Sequence, residues 1–188
     1  RVAAAEKRIE IDMQKVVLAD PDCPVIEHNP LGKIPVLILD DGESLFDSRV
    51  IVEYLDNRTP LARLIPQENS AKIWVRRWEA LADGVCDAAV AAMQESRRPE
   101  NRRDPAVMEK QMGKVQRGLT QLNAELGESK WCVDETFSLA DIALGCMLGW
   151  LDLRYQQLAW RETYPNLARH FDEMLKRPSF SETAPPAD

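Results

Sequence analysis

The chain has 188 residues, with 24 Lys plus Arg against 31 Asp plus Glu and a formal net charge of −7. Apolar residues make up 45% and charged residues 29%, which excludes a disordered chain, and the negative balance argues against nucleic acid as the main partner. No apolar run reaches the ~18 residues of a membrane span, and no signal peptide is visible.

In chain order, Arg1-Val2-Ala3-Ala4-Ala5-Glu6-Lys7 reads as the end of a helix. Residues 8–13 alternate polar and apolar, which predicts a half-buried strand. Residues 34–39 form a short apolar run that predicts a strand buried on both faces. Asp40-Asp41-Gly42-Glu43 is a hairpin turn, and Ser44-Leu45-Phe46 is the return strand. Asp47 or Ser48 then caps a helix with Ile51, Tyr54 and Leu55 on one face. These elements make an α/β domain over residues 1–59, and residues 60–69, with Pro60, Pro66 and Asn69, read as a linker.

Beyond the linker no strand signal recurs, so residues 70–180 are expected to form an all-α domain. Helices are predicted over 70–95, with a stripe of Trp74, Trp78, Leu81, Val85 and Ala88, and over 105–126, with Met108, Met112, Val115, Leu119, Leu122 and Leu126. Gly127 stops the second. Residues 138–151 are apolar nearly all round and predict a central helix. A last helix starts at Asn166, turns Leu167, His170, Phe171 and Met174 inward, and ends at Pro178. Residues 181–188 read as a loose tail. Arg97, Arg98, Arg102 and Arg103 fall in a solvated loop.

Three stretches carry chemistry. In Asn29-Pro30-Leu31-Gly32-Lys33-Ile34-Pro35, a proline at the head of a strand is compatible with a cis bond, and the backbone of Ile34 could then pair with an extended peptide ligand. Taken alone, a plain trans-proline loop fits as well. Asp47-Ser48 at a helix N-terminus suits an α-amino-acid group: unpaired N–H groups for the carboxylate, Asp47 for the ammonium. Taken alone, the pair is an ordinary cap. Ser138 and Asp141 form a capping box, and Asp141, the one charge on a buried helix, must be paired. Cys23, Cys86, Cys132 and Cys146 show no CxxC and read as reduced thiols of a cytoplasmic protein. His28 and His170 lie far from any second ligand in sequence, so no metal is expected.

In this order, the segments 29–37, 45–55 and 137–143 resemble the cytosolic glutathione S-transferase family over essentially the whole chain. Arg97-Arg98-Pro99-Glu100 and Pro185-Pro186 are most similar to its bacterial YibF-like members. The resemblance implies an α+β fold in two domains: a thioredoxin-like domain that binds glutathione, then an all-α domain. It implies that Ile34 pairs with the cysteinyl part of glutathione, that Pro35 is the cis-proline, and that Lys33 lies near the glycyl carboxylate. It gives Asp47 and Ser48 to the γ-glutamyl group, with Asp47 one methylene shorter than the usual acid, and Ser138 and Asp141 to the family's capping box.

The family's first strand and the loop with its catalytic Ser, Tyr or Cys have no counterpart here, so both are expected to precede Arg1. Cys23 has nothing nearby to lower its pKa and is not promoted to that role. The implied activity is conjugation of glutathione thiolate to a small electrophile, as a cytoplasmic homodimer acting in detoxification. The electrophile is expected between the domains, with Trp74, Trp78 and Met108 as candidate lining. A glutathione-dependent thiol reductase or lyase, or a non-catalytic glutathione-binding protein, are the alternatives.

Overall fold

The computed structural model describes residues 1–185. They separate into two units, Arg1–Arg63 and the remainder from Leu64.

The first unit opens with α1 (Val2–Glu6), whose Val2, Ala3 and Ala4 are buried. α2 is a single turn, Val25–His28. β1 (Leu37–Ile38) and β2 (Ser44–Leu45) pair antiparallel, with Leu37 opposite Leu45 and Ile38 opposite Ser44. The predicted hairpin turn closes them: the Gly42 N–H donates to the Leu39 carbonyl, the Leu39 N–H donates to Glu43, and Gly42 takes φ +87°. That positive φ is what a short hairpin loop needs and what glycine supplies without steric cost. α3 (Ser48–Arg58) follows, capped by Asp47, whose Oδ1 accepts the Arg49 N–H at 3.0 Å. Ile51 and Leu55 of α3 bury against Ala4, with Ile9, Ile11, Leu37, Leu45 and Tyr54 packed around them.

Two strand expectations need correction. Residues 8–13 form no strand among the described residues. Ile9 and Ile11 do turn toward the core as the alternation requires, but a strand exists only through a neighbour's ladder, and no described segment supplies one. The apolar run 34–39 is strand only at Leu37–Ile38, and Ile38 is 47% exposed, so within this unit it is not covered on both faces.

The second unit is helical. Residues 64–69 of the expected linker belong to it: Leu64 and Ile65 are buried, and the Leu64 carbonyl accepts the Leu139 N–H at 2.8 Å. α4 (Asn69–Ser96) and α5 (Pro105–Leu126) run antiparallel, with Arg77 forked onto Glu125 at 2.6 and 2.7 Å. Gly118 makes their close approach possible, since a Cβ there would stand 2.3 Å from Val85 Cγ2. α5 stops at Gly127, as predicted. The buried stripe of α4 runs through Val75, Trp78, Ala82, Val85, Ala89 and Ala92; Trp74 lies off it, 53% exposed. The expected Arg97–Arg103 loop is exposed and contains a 3-10 turn, Glu100–Arg102.

α6 (Leu139–Arg154) is the central helix. Leu144, Leu148 and Leu151 are fully buried, and each such side chain contributes roughly 1.5–3 kcal/mol. After α7 (Trp160–Thr163), α8 (Pro165–Leu175) buries the four predicted residues, Leu167, His170, Phe171 and Met174. Pro178 starts a further turn, α9 (Pro178–Ser181), and the Thr183 hydroxyl bonds the Ser179 carbonyl at 2.6 Å. The rest of the expected tail, 186–188, lies outside the described residues. No helix of the described residues is long and apolar enough to cross a membrane.

Candidate functional site

The loop before β1 is organised by a buried side chain. Asn29 is 2% exposed; its Nδ2 donates to the Lys33 carbonyl at 2.8 Å and its Oδ1 accepts the Leu31 N–H at 3.0 Å. The Asn29 carbonyl takes the Gly32 N–H at 2.9 Å, with Gly32 at φ +60°. This holds the turn 29–33 and leaves Lys33, Ile34 and Pro35 on the surface. The Ile34–Pro35 bond is cis, as is Phe46–Asp47. The N–H and C=O of Ile34 have no hydrogen-bond partner among the described residues.

At the other side of the hairpin, α3 begins. Ser48 is its first residue, exposed, and its N–H and hydroxyl likewise have no partner among the described residues. Asp47 is exposed and uses Oδ1 for the cap, leaving Oδ2 open to solvent. The hairpin brings these segments to one end: Leu37 pairs with Leu45, and Ile34-Pro35 and Asp47-Ser48 both lie just beyond that pair. One end of the hairpin therefore presents an unpaired peptide group, an unpaired helix N-terminal N–H, a carboxylate and the Lys33 ammonium. Free backbone N–H and C=O groups take an extended peptide, and a helix N-terminus takes a carboxylate.

His28 and Asn29 carry structural signals that residue type alone does not give. The His28 Nδ1 lies 3.0 Å from Ser44 Oγ and ties α2 to β2.

The three aromatic and thioether candidates do not come together. Trp78 is 4% exposed, inside the helical core. Trp74 stacks under Arg77 (5.3 Å), which itself grips Glu125 near the end of α5, whereas Met108 is in the first turns of α5. In an antiparallel pair, that places Trp74 and Met108 about 30 Å apart along the axis, at 1.5 Å per residue. Trp74 and Met108 therefore sit at opposite ends of the α4–α5 pair.

The capping box is present: the Ser138 hydroxyl accepts the Ala140 N–H at 3.2 Å, and Asp141 Oδ2 accepts the Ser138 N–H at 2.8 Å. Asp141 is fully buried and paired, as predicted, with its Oδ1 taking the Cys132 N–H at 2.9 Å. His170 Nε2 lies 3.5 Å from the same Oδ1, so the structure joins three residues that are distant in sequence. Burial, reinforced by Asp141, pushes the Cys132 thiol well above its ordinary pKa. Burial, then Asp83, pushes Cys86 up to about 12. Neither is a thiolate at neutral pH, so neither serves as a nucleophile.

A family model for the glutathione S-transferase N-terminal domain matches residues 1–58, and one for the C-terminal domain matches residues 105–173. The uncharacterized GST-like protein YibF of Escherichia coli K12 is 33% identical over 181 residues, 96% of this chain and 89% of that protein. A glutathione S-transferase of Methylobacillus flagellatus KT, solved with GSH bound, is 70% identical with a TM-score of 0.97, covering 98% of this chain and 92% of that one. Another from Methylobacterium radiotolerans, in complex with glutathione sulfonate, is 37% identical with a TM-score of 0.94, covering 100% and 88%. The chain belongs to the glutathione S-transferase family.

Proposed function

We propose that the protein is a glutathione transferase that holds glutathione at the open end of the hairpin and directs its thiolate at a small electrophile. The observation that carries this is that the peptide group of Ile34 and the N–H of Ser48 both lack a partner among the described residues and both lie just beyond the Leu37–Leu45 pair. Ile34 bonds the cysteinyl amide as an added strand would. Ser48 donates its N–H and hydroxyl to the γ-glutamyl carboxylate, where the positive end of α3 adds to the attraction. Asp47 takes the ammonium, Lys33 takes the glycyl carboxylate, and Pro35 shapes the segment between them.

Glutathione supplies the sulfur. A free thiol with a pKa near ~8.5 is only a few per cent ionised at neutral pH, so holding the tripeptide also requires a donor that favours the thiolate. No residue of Lys33, Ile34, Pro35, Asp47 or Ser48 is given that role. No metal takes part in this reading. A homodimer, a cytoplasmic location and a detoxifying role belong to the same reading and rest on the family alone.

The test is conjugation of glutathione to 1-chloro-2,4-dinitrobenzene, in which a C–S bond forms, chloride leaves and the thiol proton goes to solvent. The reading expects a rate above the uncatalysed one that saturates with glutathione and weakens in Ser48→Ala. Saturable glutathione binding with no turnover would favour a non-catalytic binder, and neither binding nor turnover would overturn the reading.

A further inference from the structure

Cys132, Asp141 and His170 each point one ligand atom into a common buried space; the three atoms all lie within 4.8 Å of one another. They come from separate places: the loop before α6, the first turn of α6, and the middle of α8. The His170 side chain is fully buried, and its Nε2 has no hydrogen-bond partner. Its Nδ1 lies 3.2 Å from the Lys130 carbonyl. A carbonyl only accepts, so Nδ1 carries the hydrogen, and in the neutral ring Nε2 presents a lone pair. That lone pair faces the Asp141 carboxylate at 3.5 Å, acceptor against acceptor. A buried arrangement of this kind needs either a proton on Nε2 or a cation between the two atoms.

We propose that Cys132, Asp141 and His170 form a site for one divalent cation of the zinc class. Thiolate, imidazole and carboxylate are the donor set zinc prefers. The electrostatics close: one thiolate, one carboxylate and a neutral imidazole bring the charge of a divalent ion to zero, which a buried site requires. The geometry is near what is needed. Tetrahedral bonds of about 2.0–2.3 Å put ligand atoms roughly 3.3–3.7 Å apart, and the Asp141 to His170 separation already falls there. The Nδ1–H to carbonyl contact is the outer partner that fixes the tautomer of a metal-bound histidine. Asp141 Oδ1 spends one lone pair on the Cys132 N–H and keeps another for the ion. Binding replaces the Cys132 S–H bond by a sulfur–metal bond and releases one proton to solvent. Water completes the coordination. The ion then pins the loop 128–138 to α6 and α8.

The experiment uses the chelator-stripped protein without glutathione, which itself binds such ions, and titrates it with cobalt(II) and then zinc(II). The expected result is one cobalt per chain with a thiolate-to-cobalt charge-transfer band, displaced by zinc, and a raised melting temperature. Cys132→Ala keeps the backbone N–H that bonds Asp141, and it is expected to fold, to lose the band and to bind at least about a hundredfold more weakly. His170→Gln is expected to lose the band as well, but the test does not depend on its folding. Absence of the band in the wild type, or its persistence in Cys132→Ala, overturns the proposal; His170 is then a protonated partner of Asp141.

Discussion

Lys7 Nζ lies 2.9 Å from Asp56 Oδ1, joining the end of α1 to α3 across 49 positions of sequence, with both side chains almost wholly buried. The ammonium spends its other hydrogens on the Thr59 and Ala62 carbonyls, at 2.9 and 3.4 Å. This one side chain therefore ties together α1, α3 and the turn after it.

Removing it should be costly. Lys7→Met takes the ammonium away from the buried Asp56 carboxylate and is expected to destabilise the protein by about 3–5 kcal/mol. Adding Asp56→Leu removes the stranded charge and should recover part of that loss. Urea denaturation of both variants checks this; a single variant as stable as the wild type would contradict the pinning role.

The approach of α4 to α5 rests on the bare backbone of Gly118 against Val85. Gly118→Ala forces the two helices apart and should cost about 1–3 kcal/mol despite the better helix propensity of alanine. The same denaturation experiment measures it, and a stabilised variant would show that the helices part freely.

Glu68 caps α4 by accepting the N–H groups of Ser70 and Ala71 at 2.9 and 2.8 Å. The Ala71 and Ser70 bonds hold its carboxyl down from 4.5 to about 2. A depressed carboxyl adds stability that is complete above its unfolded pKa, so the contribution is whole above about pH 4.5 and lost as pH falls towards 2. Glu68→Gln should flatten the stability curve within that window and leave its slope at neutral pH unchanged. Parallel curves for the two proteins through the acid range would remove the cap from the account.

How far the sequence could be read depended on the range of the interaction. α8 was legible because its four buried residues repeat on one helical face, and the Ser138–Asp141 box because it closes within three residues. The Ile34 and Asp47–Ser48 segments were legible as motifs, and both lie just beyond the Leu37–Leu45 pair at one end of the hairpin. The alternation in residues 8–13 signals a buried face but says nothing about a partner's ladder. Spacing sets Trp74 on the inward stripe, yet its ring lies against Arg77 on the surface, where a cation and an aromatic face attract. Neither Lys7–Asp56 nor the Cys132, Asp141 and His170 cluster was legible, since each depends on elements that only packing brings together.

Asp47 can be tested apart from its structural duty. Asparagine caps a helix as well as aspartate does, so Asp47→Asn should keep the Arg49 bond and the stability of α3. It loses the charge offered to the ammonium of glutathione, and the tripeptide should bind about tenfold more weakly. Unchanged affinity, measured by fluorescence titration, would show that the ammonium is held elsewhere.

Calorimetric titration of reduced glutathione into the protein and into Ser48→Ala tests the binding site most directly. The account predicts saturable uptake of one tripeptide per chain, weakened about ten- to a hundredfold in the variant, as the loss of a hydrogen bond to a charged group requires. No saturable heat at millimolar glutathione, or equal affinity in the two proteins, would contradict it.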